Sequence, residues 1–273
     1  MKVEYQNNET YNRGYTGLSV SETECIEHLQ GPVKDNLIDR EERKHTLEML
    51  RALQAETGFN ANKQLLIDIQ SLENEEVNER IFRVGEAYAE IILEEHFSCR
   101  FHWNELRDAR NPKGNKTGAD LVGFIETNGE ILFLFGEVKT SSEDKRPPQV
   151  MTNRNGIENQ LLDLYNNPNK RLILISYLKS KARLFPDDHQ FKIDLNEGIK
   201  SYYSENNKNN KYQLIGVLVR DVESNEQDVF PSYDRLKRDI LEPIGLQLLA
   251  LYIPINSSDW LETINGSENE RSR

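Results

Sequence analysis

The clearest pattern in the chain is two apolar segments joined by a turn, Leu121-Val-Gly-Phe-Ile125 and Ile131-Leu-Phe-Leu-Phe135, on either side of Asn128-Gly129. Asn-Gly between apolar runs signals a two-residue hairpin, because both central residues of such a turn take positive φ. The unbroken run at 131–135 predicts a strand buried on both faces. Residues 171–177 and 246–255 predict two further apolar strands, 212–220 alternates well enough for another, and 97–103 predicts the first strand of the core. A period of 3.6 appears elsewhere. Leu47, Leu50 and Leu53 mark a helix over 40–57 that Gly58 stops, and Ile81, Val84, Tyr88, Ile91 and Ile92 mark one over about 75–96. Ser21 and Glu24 form a capping-box pattern ahead of a short helix ending near Leu29. Helices are also expected over 194–203 and 233–241, the second ended by Pro243. Residues 1–17 are polar without a period, which suits an edge strand or an arm. Loops are expected at 104–118, at 140–155 around Pro147-Pro148 and at 205–210, and a disordered tail over 262–273.

The second strand of the hairpin leaves its apolar run as Gly136-Glu-Val-Lys139. Residues two apart share a face of a strand, so Glu137 and Lys139 project together while Val138 points the other way. An isolated charge within a sheet buried on both faces is costly, which places these two groups at the strand's open end, facing a shared ligand. Asp120, at the start of the first strand, lies close to them. Two carboxylates beside a lysine suit magnesium, which takes one or two carboxylates plus water and phosphate oxygens, better than zinc; manganese is the alternative. Hydrolysis of a phosphodiester needs such a set, because the cation neutralises the phosphoryl oxygens and activates a water while the lysine orients that water, deprotonates it in its neutral form, or stabilises the transition state as an ammonium. The bland readings are a solvent-exposed ion pair for Glu137 and Lys139 and a turn cap for Asp120.

Asp120 followed by Glu137-Val-Lys139 resembles the signature of the PD-(D/E)XK, or restriction-endonuclease-like, nucleases. The resemblance implies an α/β fold: a restriction-endonuclease-like core with a mixed central β-sheet flanked by helices over 76–261, and a mostly helical N-terminal accessory region over 1–75. It also implies metal binding by Asp120, Glu137 and the carbonyl of Val138, with Lys139 serving the attacking water. Arg83-Val-Gly-Glu-Ala-Tyr-Ala-Glu90 resembles the family's first core helix, where Glu86 holds the place of an added acidic ligand, and residues 157–165 resemble the following helix, where Gln160 matches a catalytic glutamine. Tyr165 falls one residue later than the tyrosine of that branch, and Ala119 replaces the proline before the aspartate. Gly-Ala-Asp-Leu-Val-Gly-Phe, Gly-Glu-Val-Lys-Thr-Ser, Pro147-Pro148 and the chain's size and acidity are similar to the nuclease subunits of Hachiman-type antiphage systems, which implies a helicase or ATPase partner. On this reading the protein is a magnesium-dependent deoxyribonuclease of bacterial antiviral defence.

Charge complicates that reading. The 273 residues carry a formal net charge of -12, whereas a chain that binds DNA unaided presents a basic face, since releasing counterions from phosphates supplies most of the non-specific affinity. Arg107, Arg110, Lys113 and Lys116 before Asp120, and Lys145 and Arg146 after Lys139, are the local exceptions. The imbalance predicts that a partner protein supplies much of the DNA affinity. Cys25 and Cys99 are isolated, the five histidines share no ligand spacing, and His102 reads as a satisfied sheet histidine. No apolar run reaches about 18 residues, so no membrane span is expected. The first residues lack the apolar centre of a signal peptide, which makes the cytoplasm the expected compartment. Two other readings are open: a non-catalytic nuclease-fold module that binds a protein, and a stand-alone restriction endonuclease.

Overall fold

The computed structural model describes residues 1–108, 118–204 and 212–266. Seven strands form one mixed sheet: β1 (Lys2–Thr10), β2 (Arg13–Ser19), β3 (Cys99–Arg100), β4 (Leu121–Thr127), β5 (Glu130–Ser141), β6 (Tyr212–Arg220) and β7 (Gly245–Tyr252), in the order β1-β2-β7-β6-β5-β4-β3. Neighbours from β2 through β7 and β6 to β5 are parallel, and the outer pairs are antiparallel. The four parallel strands are buried almost throughout, β6 along its whole length, which explains the long apolar runs of β5, β6 and β7. Asn128 and Gly129 take φ of 50° and 76° in the two-residue turn that sets the β4–β5 register.

The helices are α1 (Glu22–His28), α2 (Lys34–Ile38), α3 (Arg40–Ala55), α4 (Lys63–Glu73), α5 (Ile81–Phe97), α6 (Gln149–Thr152), α7 (Ile157–Asn166), α8 (Pro168–Ala182), α9 (Gln190–Tyr203), α10 (Phe230–Asp239) and α11 (Trp260–Asn265). They cover both faces of the sheet. Leu132, Leu134 and Val138 of β5 join Val84, Tyr88 and Ile92 of α5 in one core, while Phe133 and Phe135 join residues of α7, α8, α9 and α10 in the other. Strand alternation thus sorts successive side chains of a single strand into separate layers.

Several expectations need correction. Residues 171–177 are not a strand but the middle of α8. Asn167 caps this helix by accepting from the Lys170 amide, Pro168 occupies its first turn, and Leu174, Ile175, Leu178 and Ala182 form the buried stripe. Residues 97–103 shrink to the two-residue β3, because α5 runs through Phe97 and Ser98 ends it in the left-handed region. Residues 1–17 form the edge strand, the first of the two expectations, and not an arm: with Leu18 and Ser19 they make a hairpin in which β1 forms the edge of the sheet and β2 pairs with β7, so the region expected to be mostly helical opens on strands and helix begins only at Glu22. The residues just before Ile81, expected to open α5, have no regular secondary structure, and Arg80 precedes the helix in an extended conformation. The start of the expected tail is α11, with Trp260 and Ile264 buried. The expected loop at 205–210, Arg110, Lys113 and Lys116, and residues 267–273 lie outside the described residues. No helix among the described residues is long and apolar enough to cross a membrane.

Candidate active site

β4 and β5 pair as far as Leu121 opposite Gly136, and one step further Asp120 stands opposite Glu137. Beyond this point β5 continues without β4, so the side of its backbone that faced β4 becomes free for side chains. The Val138 amide donates to Asp120 Oδ2 at 3.1 Å, tying the carboxylate to the strand that carries its partners. Lys139 Nζ donates to Glu137 Oε1 and lies 3.5 Å from Asp120 Oδ2. Glu137 and Lys139 continue the alternation of Phe133 and Phe135 and so project toward the α7–α9 layer, while Val138 is buried in the α5 layer. The Glu137 side chain is 9% exposed and that of Lys139 27%. Such burial argues against an ordinary surface ion pair.

The electrostatics follow from that burial. Burial first, then the charge of Asp120, pushes the Glu137 carboxyl up to about 7, and the attraction of Lys139 offsets this only in part. Burial pulls Lys139 down, but Asp120 and Glu137 together outweigh it and hold the ammonium above its ordinary range. In this metal-free cluster the two carboxylates favour the ammonium form of Lys139, which donates to Glu137. The cluster carries two carboxylates for one ammonium in a poorly hydrated place, and a bound cation would relieve the repulsion that raises Glu137. Two oxygen ligands completed by water and phosphate fit magnesium or manganese. Among the described residues no third His, Cys, Asp or Glu completes a group of three that could hold a metal.

The other sequence-predicted residues fall on both layers. Glu86 is 6% exposed on α5 and forms an ion pair with Arg83. Its helix packs on the Val138 side: a methyl group in place of the Gly85 hydrogen would meet Thr140 Oγ1 at 2.2 Å. Gln160 lies on α7, in the layer that Glu137 and Lys139 face, and accepts from Lys170 Nζ at 3.5 Å. Lys170 escapes sequence reasoning that takes residues 171–177 for a strand. It also donates to Asp163 at 2.8 Å, and its Cε would lie 3.9 Å from a methyl group at Gly118, which takes φ of 113° two residues before Asp120. The capping signal Asn167-Pro168 would have placed it on a helix. Tyr165 is at the far end of α7, its hydroxyl accepting from the Leu241 amide at 3.4 Å.

The basic residues expected to meet nucleic acid are partly engaged. Arg107 donates to both oxygens of Asp39 at 2.8 and 3.0 Å and to Glu41 at 3.1 Å. Arg146 donates to the Glu223 carbonyl at 2.9 Å, and Lys145 is exposed. His102 lies past β3 instead of within a strand; its Nε2 is 2.7 Å from Asp194, its ring stacks on Phe191, and burial lowers its pKa.

A family model described as HamA matches residues 3–259. No curated protein matches the chain.

Proposed function

The chain belongs to the HamA family, which fits a component of antiphage defence, and we propose that it is a metal-dependent nuclease of the PD-(D/E)XK type that cleaves DNA. One observation supports this above the others: Asp120 and Glu137 stand opposite each other where β4 ends, with Lys139 bonded to Glu137 and 3.5 Å from Asp120. In this reading Asp120, Glu137 and the Val138 carbonyl would hold a magnesium or manganese ion, while Glu86, paired with Arg83 on the α5 face, acts on the site only indirectly. The ion supplies neutralisation of the phosphoryl oxygens and a lower pKa for its water. Lys139, as an ammonium, donates to the attacking water or to the charge that builds on the phosphoryl group. The Val138 amide keeps Asp120 aimed, and Gln160 with Lys170 lines the side from which the scissile strand approaches.

The proposal includes a helicase or ATPase partner, supported by the acidic total charge and by the engagement of Arg107 with Asp39 and Glu41. The test of the nuclease reading is plasmid cleavage in magnesium, with and without EDTA and with and without the protein from the neighbouring gene. Glu137→Ala and Lys139→Ala should cut at least about a hundredfold more slowly, the loss usual when one transition-state donor is removed, with circular dichroism unchanged. Wild-type rates in either variant would sink the assignment.

A further inference from the structure

At the opposite end of β5 and β6 a cavity of about 540 Å³ opens between α7, α9 and the turn before β7, lined by Tyr165, Arg171, Tyr202, Tyr203, Leu241 and Glu242 among others. It is separate from the carboxylate cluster. Tyr212, which also lines it, is opposite Phe133 in the β5–β6 register, whereas Lys139 is opposite Leu218; the six steps along the strand at roughly 3.3 Å each put about 20 Å between the two places. Its size falls in the range of pockets that hold small ligands, about 300–1,000 Å³.

The chemistry of the lining is specific. Arg171 is 9% exposed. Its Nε donates to the Tyr202 hydroxyl at 3.0 Å, its Nη1 donates to the carbonyls of Leu164 and Tyr165 at 2.5 and 2.6 Å, and its guanidinium lies 4.7 Å over the Tyr212 ring. These contacts use Nε and Nη1; among the described residues no hydrogen bond engages Nη2, and Arg171 lines the cavity. A guanidinium fixed in this way is pre-organised, so an anion meeting its remaining N–H groups gains charge-assisted hydrogen bonds at little entropic cost. The aromatic part is complementary: Tyr202 and Tyr203 are 4.9 Å apart and nearly perpendicular, and Tyr203, 60% exposed, is a ring held at the cavity wall with no core to fill. Planar rings beside a fixed cation are the equipment that binds a base and its phosphate. Glu242 puts the phosphate at the Arg171 end and offers an acceptor to an exocyclic amino group of the base.

We propose that this cavity binds a nucleotide, its base against Tyr203 and Tyr165 and its phosphate on Nη2 of Arg171. The nucleotide is either free or one unit of a single strand. This inference does not depend on cleavage at Asp120 and Glu137. The experiment is calorimetric titration of the full-length Glu137→Ala chain in EDTA, which removes metal-mediated binding at the other site, with dAMP, deoxyadenosine, inorganic phosphate and a short single-stranded oligonucleotide. We expect dAMP to bind at least about tenfold more tightly than deoxyadenosine or phosphate alone, since it engages both halves of the site. Adding Tyr203→Ala should weaken dAMP by about fivefold or more, the loss expected for one base stacked on an aromatic ring, without lowering the melting temperature. Arg171→Lys should bring dAMP down to the affinity of deoxyadenosine; because Arg171 also caps α7, the Tyr203→Ala titration decides the matter if that variant does not fold. Tighter binding of the oligonucleotide than of dAMP identifies a strand as the source, and equal binding a free nucleotide. Absence of binding by both, or binding indifferent to Tyr203→Ala, overturns the proposal.

Discussion

At the scale of single residues, the Asp120–Glu137–Lys139 cluster is a balance between burial and pairing, and pH exposes it. The folded-state pKa of Glu137, at about 7, lies above its ordinary value of 4.5. A carboxyl whose pKa is raised by folding contributes stability below its unfolded pKa and loses it as pH rises through the folded one. In EDTA the wild type should therefore lose stability relative to Glu137→Gln between about pH 5 and pH 8, reaching roughly 1–3 kcal/mol at the upper end, since a tenfold change in proton affinity corresponds to about 1.4 kcal/mol. Urea titrations of both proteins across this range measure the difference; parallel curves would mean that Glu137 is not held in this environment. Magnesium should reverse the sign, stabilising the wild type at pH 8 and leaving the variant unmoved, because a ligand bound only by the native state adds its binding energy to folding. Asp120→Asn should abolish magnesium-dependent cleavage, and Glu86→Gln should reduce it by a smaller factor, about tenfold or less, since its helix lies on the other layer. Normal cleavage by Asp120→Asn would disprove the pairing of β4 and β5 as a metal-binding unit.

At the scale of elements, the approach to the site depends on close contact between α8 and the residues before β4. Gly118 takes φ of 113°, and a methyl group there would lie 3.1 Å from Leu174 Cδ2. Gly118→Ala should cost about 1–3 kcal/mol in denaturant unfolding, because the left-handed conformation strains any residue with a Cβ. It should also slow cleavage, by displacing Asp120 two residues on; unchanged stability would show that Gly118 does not hold this conformation. The same elements explain what is legible in the sequence. The β4–β5 hairpin is readable because its register comes from a local turn, Asn128-Gly129, and its chemistry from spacing along one strand. β6 is readable because a strand covered on both faces must be apolar almost throughout. α8 is not, because Arg171-Leu-Ile-Leu-Ile-Ser-Tyr177 is short, apolar and rich in branched residues, and its helical period appears only when Leu178 and Ala182 are included. The β1–β2 hairpin is only half legible, since its residues fit an edge strand and an arm equally well. Its exposed strand β1 is polar, and the pairing of Arg13 with Leu246 that draws it into the sheet spans most of the chain. The HamA family is legible from Gly118-Ala-Asp-Leu-Val-Gly-Phe124 and Gly136-Glu-Val-Lys-Thr-Ser141, whereas Lys170 needs the correct assignment of α8.

At the scale of the whole molecule, charge bears on the proposed encounter with DNA. A body of net charge -12 repels phosphate at long range, and salt weakens this repulsion together with any attraction from local cations, beyond about 8 Å at physiological ionic strength. Among the described basic residues singled out for DNA, Arg107 is neutralised by Asp39 and Glu41 and Arg146 is bonded to a backbone carbonyl. Non-specific affinity scales with the number of phosphates neutralised, and a few loop cations neutralise few. The isolated chain should therefore bind duplex DNA more weakly than about 1 µM at roughly 150 mM salt, the tight limit of non-specific binding, with a shallow salt dependence. Cleavage by the chain alone should be correspondingly slow, and should rise when a DNA-translocating partner holds the substrate against the end of β5. A fluorescence titration of the Asp120→Asn chain with labelled duplex, in the presence and absence of that partner, separates binding from cutting, because the variant binds without cleaving. Affinity near 10 nM for the chain alone, typical of specific DNA-binding proteins, would remove the need for a partner while leaving the reading of Asp120, Glu137 and Lys139 intact.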